Sequence, residues 1–257
     1  MTLAATSGLQ MSTDKTNWTD TTATTLSSGK TYFRVASDQS SPLKPNWTED
    51  SNSDYDIGGN INSLVKVNFE NDTNCYIFYM SNTGFFQRKS KLKSAGNLIL
   101  PATTLANNCY ASMFRICSSL TTAPALPATT LADSCYESMF YNCTALTSAP
   151  ATLPATTLAT YCYSSMFSNC TSLATAPALP ATTLANGCYS KMFYHCTILN
   201  YIKCLATDIS ASGCTTNWVY GVAANGTFVK NQSMSTSTWG TGNNGIPSGW
   251  TVEDATE

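Results

Sequence analysis

The chain has 257 residues, of which 11% are charged, with a formal net charge of −2 and a pI near 5.4. This balance excludes nucleic acid as a main partner, because binding to phosphate chains needs an excess of clustered Lys and Arg. With so few charges, the surface must be covered mainly by uncharged polar side chains such as Thr, Ser and Asn.

Residues 1–72 are predicted to form a small antiparallel β domain. The segments LQMSTDKTNW, KTYFRVAS and SLVKVNF alternate apolar and polar residues between Ser, Asp, Gly and Asn, which are turn formers. This part of the sequence shows no helical periodicity, so we expect strands from these three segments.

Residues 73–99 are interpreted as a degenerate opening repeat, because Phe86 falls in register with the Phe114 of the first regular unit. The insertion QRKSKLK in this unit supplies a candidate basic patch, which consists of Arg88, Lys89, Lys91 and Lys93. Such a patch suits a phosphate or an acidic glycan, and a solvated capping face is the alternative.

From residue 100 to residue 214 a unit of 26 or 27 residues recurs. The register is set by equivalent leucines, which are Leu100, Leu126, Leu153, Leu179 and Leu205. A fixed period of this length indicates a repeat solenoid, in which each unit buries its apolar face only against its neighbours. We therefore expect ladders of identical Leu, Cys, Met and Phe side chains through the core.

Within each unit the pattern predicts one short helix and one short strand. At about 100° per residue, Cys109, Met113 and Phe114 share one apolar arc. The residues expected to cap these helices are Asn107, Asp133 and Asn186. The Thr-rich and Pro-broken remainder, SLTTAPALPATTL, suits a strand of a few residues. The predicted fold class is an α+β repeat solenoid.

The eleven cysteines are interpreted mainly as apolar ladder residues. A C-x7-C pair on one helical face lies two turns apart, which is too far for a disulfide within a unit, whereas bridges between units stay open. The absence of C-x2-C and the single histidine argue against zinc. No catalytic constellation is present either, so we expect a protein without enzymatic activity or cofactors.

Residues 215–257 are predicted to be a C-terminal β cap. The segments GTFVKN and SGWTVED suggest a closing β hairpin, with Trp239 and Trp250 covering the last repeat. A cap is expected because the uncovered end of a ladder would expose apolar residues.

The repeat LPATTLA-x-x-CY-x-x-MF-x-x-C-x-x-LT-x-AP resembles the BspA-like leucine-rich repeats of surface proteins from gut and oral anaerobes and their phages. The resemblance covers roughly residues 85–205, and the flanking segments are similar to the same kind of protein. It implies a right-handed solenoid that binds proteins, glycans or cell surfaces without catalysis. Motifs of this kind are specific for fold and weak for ligand.

Binding on the repeats is expected at positions that vary while the ladder residues stay the same. These positions form a candidate recognition stripe, which consists of Arg115, Tyr141, Ser168, Tyr194 and His195. Tyrosine rings and amides suit contacts with a glycan or a protein. Variation without function is the alternative.

The chain shows neither an export signal at its start nor a membrane-span pattern, which favours a phage virion protein, a fibre or decoration protein, over a trimmed bacterial surface adhesin. Expected partners are other virion proteins or bacterial surface components and a host cell-surface glycan or protein, and a homotrimer is an expected assembly. Regular pairs such as Thr103-Thr104 also suggest an ice-binding face, but the neighbouring prolines disfavour it.

Overall fold

A computed structural model of the protein describes all residues except 1, 4, 23, 26–29, 44–46, 50–52, 81–82 and 257. The described part of the chain contains thirteen strands, one α-helix and one 3-10 turn. In chain order these are β1 (Thr2–Leu3), β2 (Leu9–Ser12), β3 (Thr19–Asp20), β4 (Thr24–Thr25), β5 (Tyr32–Val35), β6 (Trp47–Thr48), β7 (Tyr55–Asn60), the 3-10 turn (Ile61–Leu64), β8 (Tyr79–Met80), β9 (Thr83–Gly84), β10 (Leu92–Ile99), β11 (Tyr201–Cys204), β12 (Thr227–Lys230), α1 (Thr236–Trp239) and β13 (Thr251–Asp254).

The N-terminal strands pair antiparallel in two three-stranded sheets, β4-β1-β6 and β3-β2-β5. Leu9 and Val35 pair across β2 and β5, and both are fully buried. The segment SLVKVNF, which we expected to be a strand, instead contains the end of the 3-10 turn and a loop. The side chain of Asn60 accepts a hydrogen bond from the Asn62 N–H and so stabilises the start of that turn.

Strand β7 leaves this arrangement and pairs in parallel with β10. Successive units then lie one above the next, joined by isolated parallel bridges such as Ser94 with Thr122 and Thr122 with Ser148. At the other end, β11, β12 and β13 form a parallel sheet, so the predicted closing hairpin is wrong. The C-terminal segment winds once more around the stack and brings β13 alongside β12 in the same direction.

The predicted α+β solenoid with a helix in each coil is also wrong, since α1 is the only α-helix in the described residues and lies outside the repeats. Each expected helix is a series of turns in which every fourth residue is left-handed. In the first unit these residues are Asn108, Ser112 and Ile116, with φ of 59°, 53° and 63°. A left-handed residue cannot continue a right-handed helix, so the helical hydrogen bonds do not form.

The backbone hydrogen bonds show what replaces the helix. The Met113 N–H donates to the Tyr110 carbonyl within the same unit at 3.2 Å, whereas the next N–H, of Phe114, donates to Met139 of the following unit at 2.9 Å. This alternation continues along the turns of each unit. Half of the donors that a helix would use internally therefore join neighbouring units, which satisfies the buried backbone groups.

The residues expected to cap helices also join units. The side-chain oxygen of Asn107 accepts a hydrogen bond from the Asp133 N–H at 3.1 Å, and that of Asp133 accepts one from the Thr160 N–H at 3.1 Å. Asn186 makes the same contact with the N–H of Ser212. A short acceptor is needed at this position because it reaches the backbone of the next unit.

The expected phenylalanine ladder is present, together with a tyrosine ladder that was not among the predicted ones. Four tyrosines, Tyr110, Tyr136, Tyr163 and Tyr189, stack at 5.8 to 6.2 Å between ring centroids. A second ladder runs from Phe86 to Phe193 at 5.4 to 5.9 Å. Burying each such ring contributes roughly 2–3 kcal/mol, so the core is built by stacking whole units rather than within any one of them.

Ile116 offers a test of the turn geometry. A β-branched residue is strained at φ of 63°, and Asn142 and Asn169 occupy the equivalent position in the next two units. We expect Ile116→Asn to raise the free energy of unfolding by about 1 kcal/mol, measured by chemical denaturation. Ile198→Asn, at an exposed isoleucine without positive φ, is the matched control and should give no gain. A loss at position 116 would contradict the left-handed turn, since a helix prefers isoleucine there.

Candidate recognition surface

The recognition stripe follows the phenylalanine ladder along the side of the stack. Each of its residues at positions 115, 141, 168 and 194 comes directly after a ladder phenylalanine. Its spacing is fixed by the backbone, because the Ile116 N–H donates to the Tyr141 carbonyl at 2.8 Å. The Asn142 and Asn169 N–H groups make the equivalent bonds to Ser168 and Tyr194 at 2.8 and 2.7 Å. The stripe is therefore a rigid row with one side chain from each unit.

At one end of the stripe, the Arg115 guanidinium lies 4.8 Å from the centroid of the Tyr141 ring. Both side chains are half-buried. A guanidinium at this distance is attracted to the negative face of the ring, which holds the two groups together as one unit. We call this unit the Arg115–Tyr141 platform.

At the other end, the rings of Tyr194 and Tyr220 stack at 5.1 Å with an interplanar angle of 15°. His195 lies edge-on to both rings, at 4.4 and 5.2 Å between centroids. These three residues form what we call the C-terminal aromatic cluster. The left-handed Gly221, with φ of 75°, lies under the histidine, and a Cβ there would come within 2.9 Å of the His195 ring.

The sequence prediction missed Tyr220, which is 40% exposed and is the most exposed ring of the cluster. The repeat register could have identified Tyr220. Trp218 replaces the ladder methionine, and Tyr220 then occupies the position equivalent to Tyr194. Ser168, in contrast, was predicted as a recognition residue but is only 2% exposed. It separates the two aromatic units without offering much surface of its own.

The candidate basic patch begins beside the stripe and is partly neutralised. Arg88 occupies the turn position equivalent to Ile116, and its N–H donates to the Arg115 carbonyl at 2.8 Å. Lys93 forms an ion pair with Asp54 at 3.4 Å. The Glu49 carboxylate accepts hydrogen bonds from the N–H groups of Ser90 and Lys91.

These acidic neighbours reduce the positive field of the basic patch, so its binding of phosphate or an acidic glycan stays a prediction. Arg88 is exposed. Lys89 is half-buried, and Lys91 contributes its backbone N–H to the Glu49 contact.

Most of the cysteines pack in the core as buried thiols. Ten of the eleven cysteines, all of them among the described residues, are buried thiols. Those at positions 117, 143, 170 and 196 donate to a phenylalanine carbonyl of the preceding unit at 3.0 to 3.2 Å. Burial raises the pKa of Cys196 and Cys204 to about 12, so neither is a thiolate near neutral pH.

The paired threonines lie on a different face. Thr104, Thr130 and Thr157 are exposed and bridge in parallel from unit to unit. A depression of about 400 Å³ between the third and fourth regular units is lined by threonines and by Leu158, Leu184 and Ala185. This lining contains no titratable side chain, so it offers no general acid or base.

Within the described residues, no three His, Cys, Asp or Glu side chains are grouped as a metal site would require. No helix in that part of the chain combines the length and the apolar character of a membrane span. Comparisons with family models, curated proteins and solved structures gave no match. The resemblance to BspA-like repeats therefore stays a prediction based on the motif alone.

Proposed function

We propose that this protein is a non-enzymatic adhesive module that binds an extended glycan on a cell surface through the recognition stripe and Tyr220. The observation that carries the proposal is the row of two aromatic units on one rigid edge. Binding through mobile side chains costs conformational entropy, because those side chains must be ordered in the complex. These rings cost less to order, since stacking already holds them in place.

The chemistry of the row favours a sugar. The two aromatic units present flat apolar faces with polar edges, which complement the apolar face and the hydroxyl rim of a pyranose ring. Tyr141 and Tyr194 are two units apart, a separation of roughly 10 Å at the usual spacing of paired strands. A single glycan chain that follows the stack can thus contact both aromatic units and pass over Ser168.

Charge supports a ligand that is neutral or weakly acidic. The cations on or beside the stripe include Arg115, which already faces Tyr141, and the exposed Arg88 and Lys191. They can orient an occasional acidic group, but the chain as a whole carries a net charge of −2.

The proposal also covers where the protein is located. We assign the protein to a phage particle as a fibre or decoration protein, where a rigid stack would present the stripe to the host surface. Co-sedimentation of the protein with purified phage particles tests this assignment. Recovery only from a bacterial envelope would replace it with the adhesin alternative and leave the glycan proposal unaffected.

The binding test compares the parent with the double variant Tyr194→Ala/Tyr220→Ala on a glycan array and on whole bacterial cells. We expect the double variant to lose at least about tenfold in affinity, because stacked aromatic side chains commonly dominate a binding surface.

Tyr161→Ala is the matched control, since Tyr161 is 50% exposed and lies outside the stripe. It should bind as the parent does. Equal binding by the parent and the double variant, with both chains folded, would overturn the proposed function, as would an equal loss in the control.

A further inference from the structure

Cys75 differs from the other cysteines in its exposure. All eleven cysteines lie in the described residues, and Cys75 is the one that is not buried. It lies near the start of the opening unit, in an irregular segment that packs against the core. This thiol is therefore the one that a small molecule from solvent reaches first.

The sulfur of Cys75 is held by two donors of the first regular unit. The Ala106 N–H donates to it at 3.4 Å, and the Cys109 thiol also donates to it. Cys109 begins the first regular cysteine column and is fully buried. The Cys109 N–H donates to the Ala106 carbonyl at 3.2 Å, and the Phe78 N–H donates to the Cys109 carbonyl at 2.7 Å, so the segment that carries Cys75 runs alongside the turn that carries Cys109.

The two thiols are unequal in reactivity. The hydrogen bond from Cys109, together with that from Ala106, lowers the pKa of Cys75, while burial raises the pKa of Cys109. The proton therefore stays on Cys109 and the negative charge develops on Cys75. An accessible thiolate beside a second thiol is the usual arrangement for disulfide exchange.

We propose that Cys75 is a thiol–disulfide exchange site, with Cys109 as its resolving partner, that reacts with small-molecule disulfides. The Cys75 thiolate attacks one sulfur of the small disulfide, whose S–S bond breaks and releases one thiol after it takes up a proton. Cys109 then gives up its proton and attacks the Cys75 sulfur, which releases the second small thiol. Two protein thiols are oxidised to one disulfide, and the small disulfide is reduced to two thiols.

The bond would join the start of the opening unit to the first regular unit. Beside that junction, the Asn62 side chain donates to the carbonyls of Asp72 and Asn74 at 2.9 and 3.3 Å. A disulfide there would hold the opening unit in place after the protein leaves a reducing compartment.

The test incubates the folded full chain with hydroxyethyl disulfide, alkylates the remaining thiols and maps them by mass spectrometry after proteolysis. We expect a Cys75–Cys109 linked peptide in most molecules and nine alkylated cysteines out of the eleven in the chain. This result needs no variant, so it does not depend on the folding of a mutant.

Two variants separate the roles. In Cys109→Ser, the small thiol should stay bound to Cys75 as a mixed disulfide. In Cys75→Ser, all of the remaining cysteines should stay reduced. Cys214→Ser, at a buried cysteine of the last unit, is the control and should form the bridge as the parent does. A folded parent that retains all eleven thiols, keeps a mixed disulfide on Cys75 or forms other bridges would overturn the proposal.

Discussion

Replacing Phe140 with alanine is expected to lower the free energy of unfolding by about 3–5 kcal/mol, as measured by urea denaturation. Phe140 is fully buried, and its ring stacks on Phe114 at 5.5 Å and on Phe167 at 5.4 Å. Removal of the ring leaves a cavity between two units. The cavity cannot collapse, because the backbone hydrogen bonds between units fix the spacing of the stack.

Tyr141→Ala is the neighbouring control for this prediction. Its side chain is half-buried on the stripe, so we expect a loss of less than about 1 kcal/mol. In the Phe140→Ala chain, hydrogen exchange should become faster at the backbone amides of residues 114 and 140, which donate hydrogen bonds between the affected units. A Phe140→Ala chain as stable as the parent would show that the phenylalanine ladder is not the core.

Replacing Trp218 with alanine should have the second large effect, a loss of about 3–5 kcal/mol. Trp218 is fully buried and closes both aromatic ladders, since its ring stacks on Tyr189 at 6.1 Å and contacts Phe193 at 6.2 Å. On its other side it stacks on Trp239 at 5.6 Å. Its indole N–H donates to the Gly245 carbonyl at 2.9 Å, so the variant also leaves a buried acceptor unpaired.

The expected result for Trp218→Ala includes local opening as well as lower global stability. Residues 240–250 should exchange amide hydrogens faster than the middle of the stack, because the tryptophan anchors them. Tyr220→Ala serves as the control, since this ring is 40% exposed and lies two residues away. Uniform loss of protection along the whole chain would contradict a capping role for Trp218.

The repeat register made the core predictable. Identical residues at a fixed spacing must stack when the units stack, and the tyrosine and phenylalanine ladders follow from that alone. The helix prediction failed because Cys109, Met113 and Cys117 recur every fourth residue. Over nine residues, a period of four cannot be distinguished from the helical period of 3.6.

A signal for the turns was nevertheless present in the sequence. Four of the six left-handed positions of the last two units hold Gly187, Gly213, Asn217 and Gly221, which are residue types that tolerate positive φ. The parallel pairing of the cap could also have been predicted from the spacing. Tyr201 of β11 pairs with Thr227 of β12, which lies one repeat length further along the chain. A hairpin would have needed a short connection between adjacent strands.

The site was predicted only in part. The positions of Arg115, Tyr141 and Tyr194 follow from the register, but pairing between side chains depends on ring orientation and spacing, which the sequence does not encode locally. The same reason hid the contact of Cys75 with Cys109, because Cys75 lies outside the regular unit and has no repeated partner to reveal its neighbour.

The most direct test of this account is an NMR measurement of backbone chemical shifts and scalar couplings from Cys135 to Cys143. We predict left-handed values at Ser138 and Asn142 and no continuous run of helical shifts. A continuous right-handed helix across this segment would contradict the stacked turns, and with them the spacing of the stripe on which the proposed function depends.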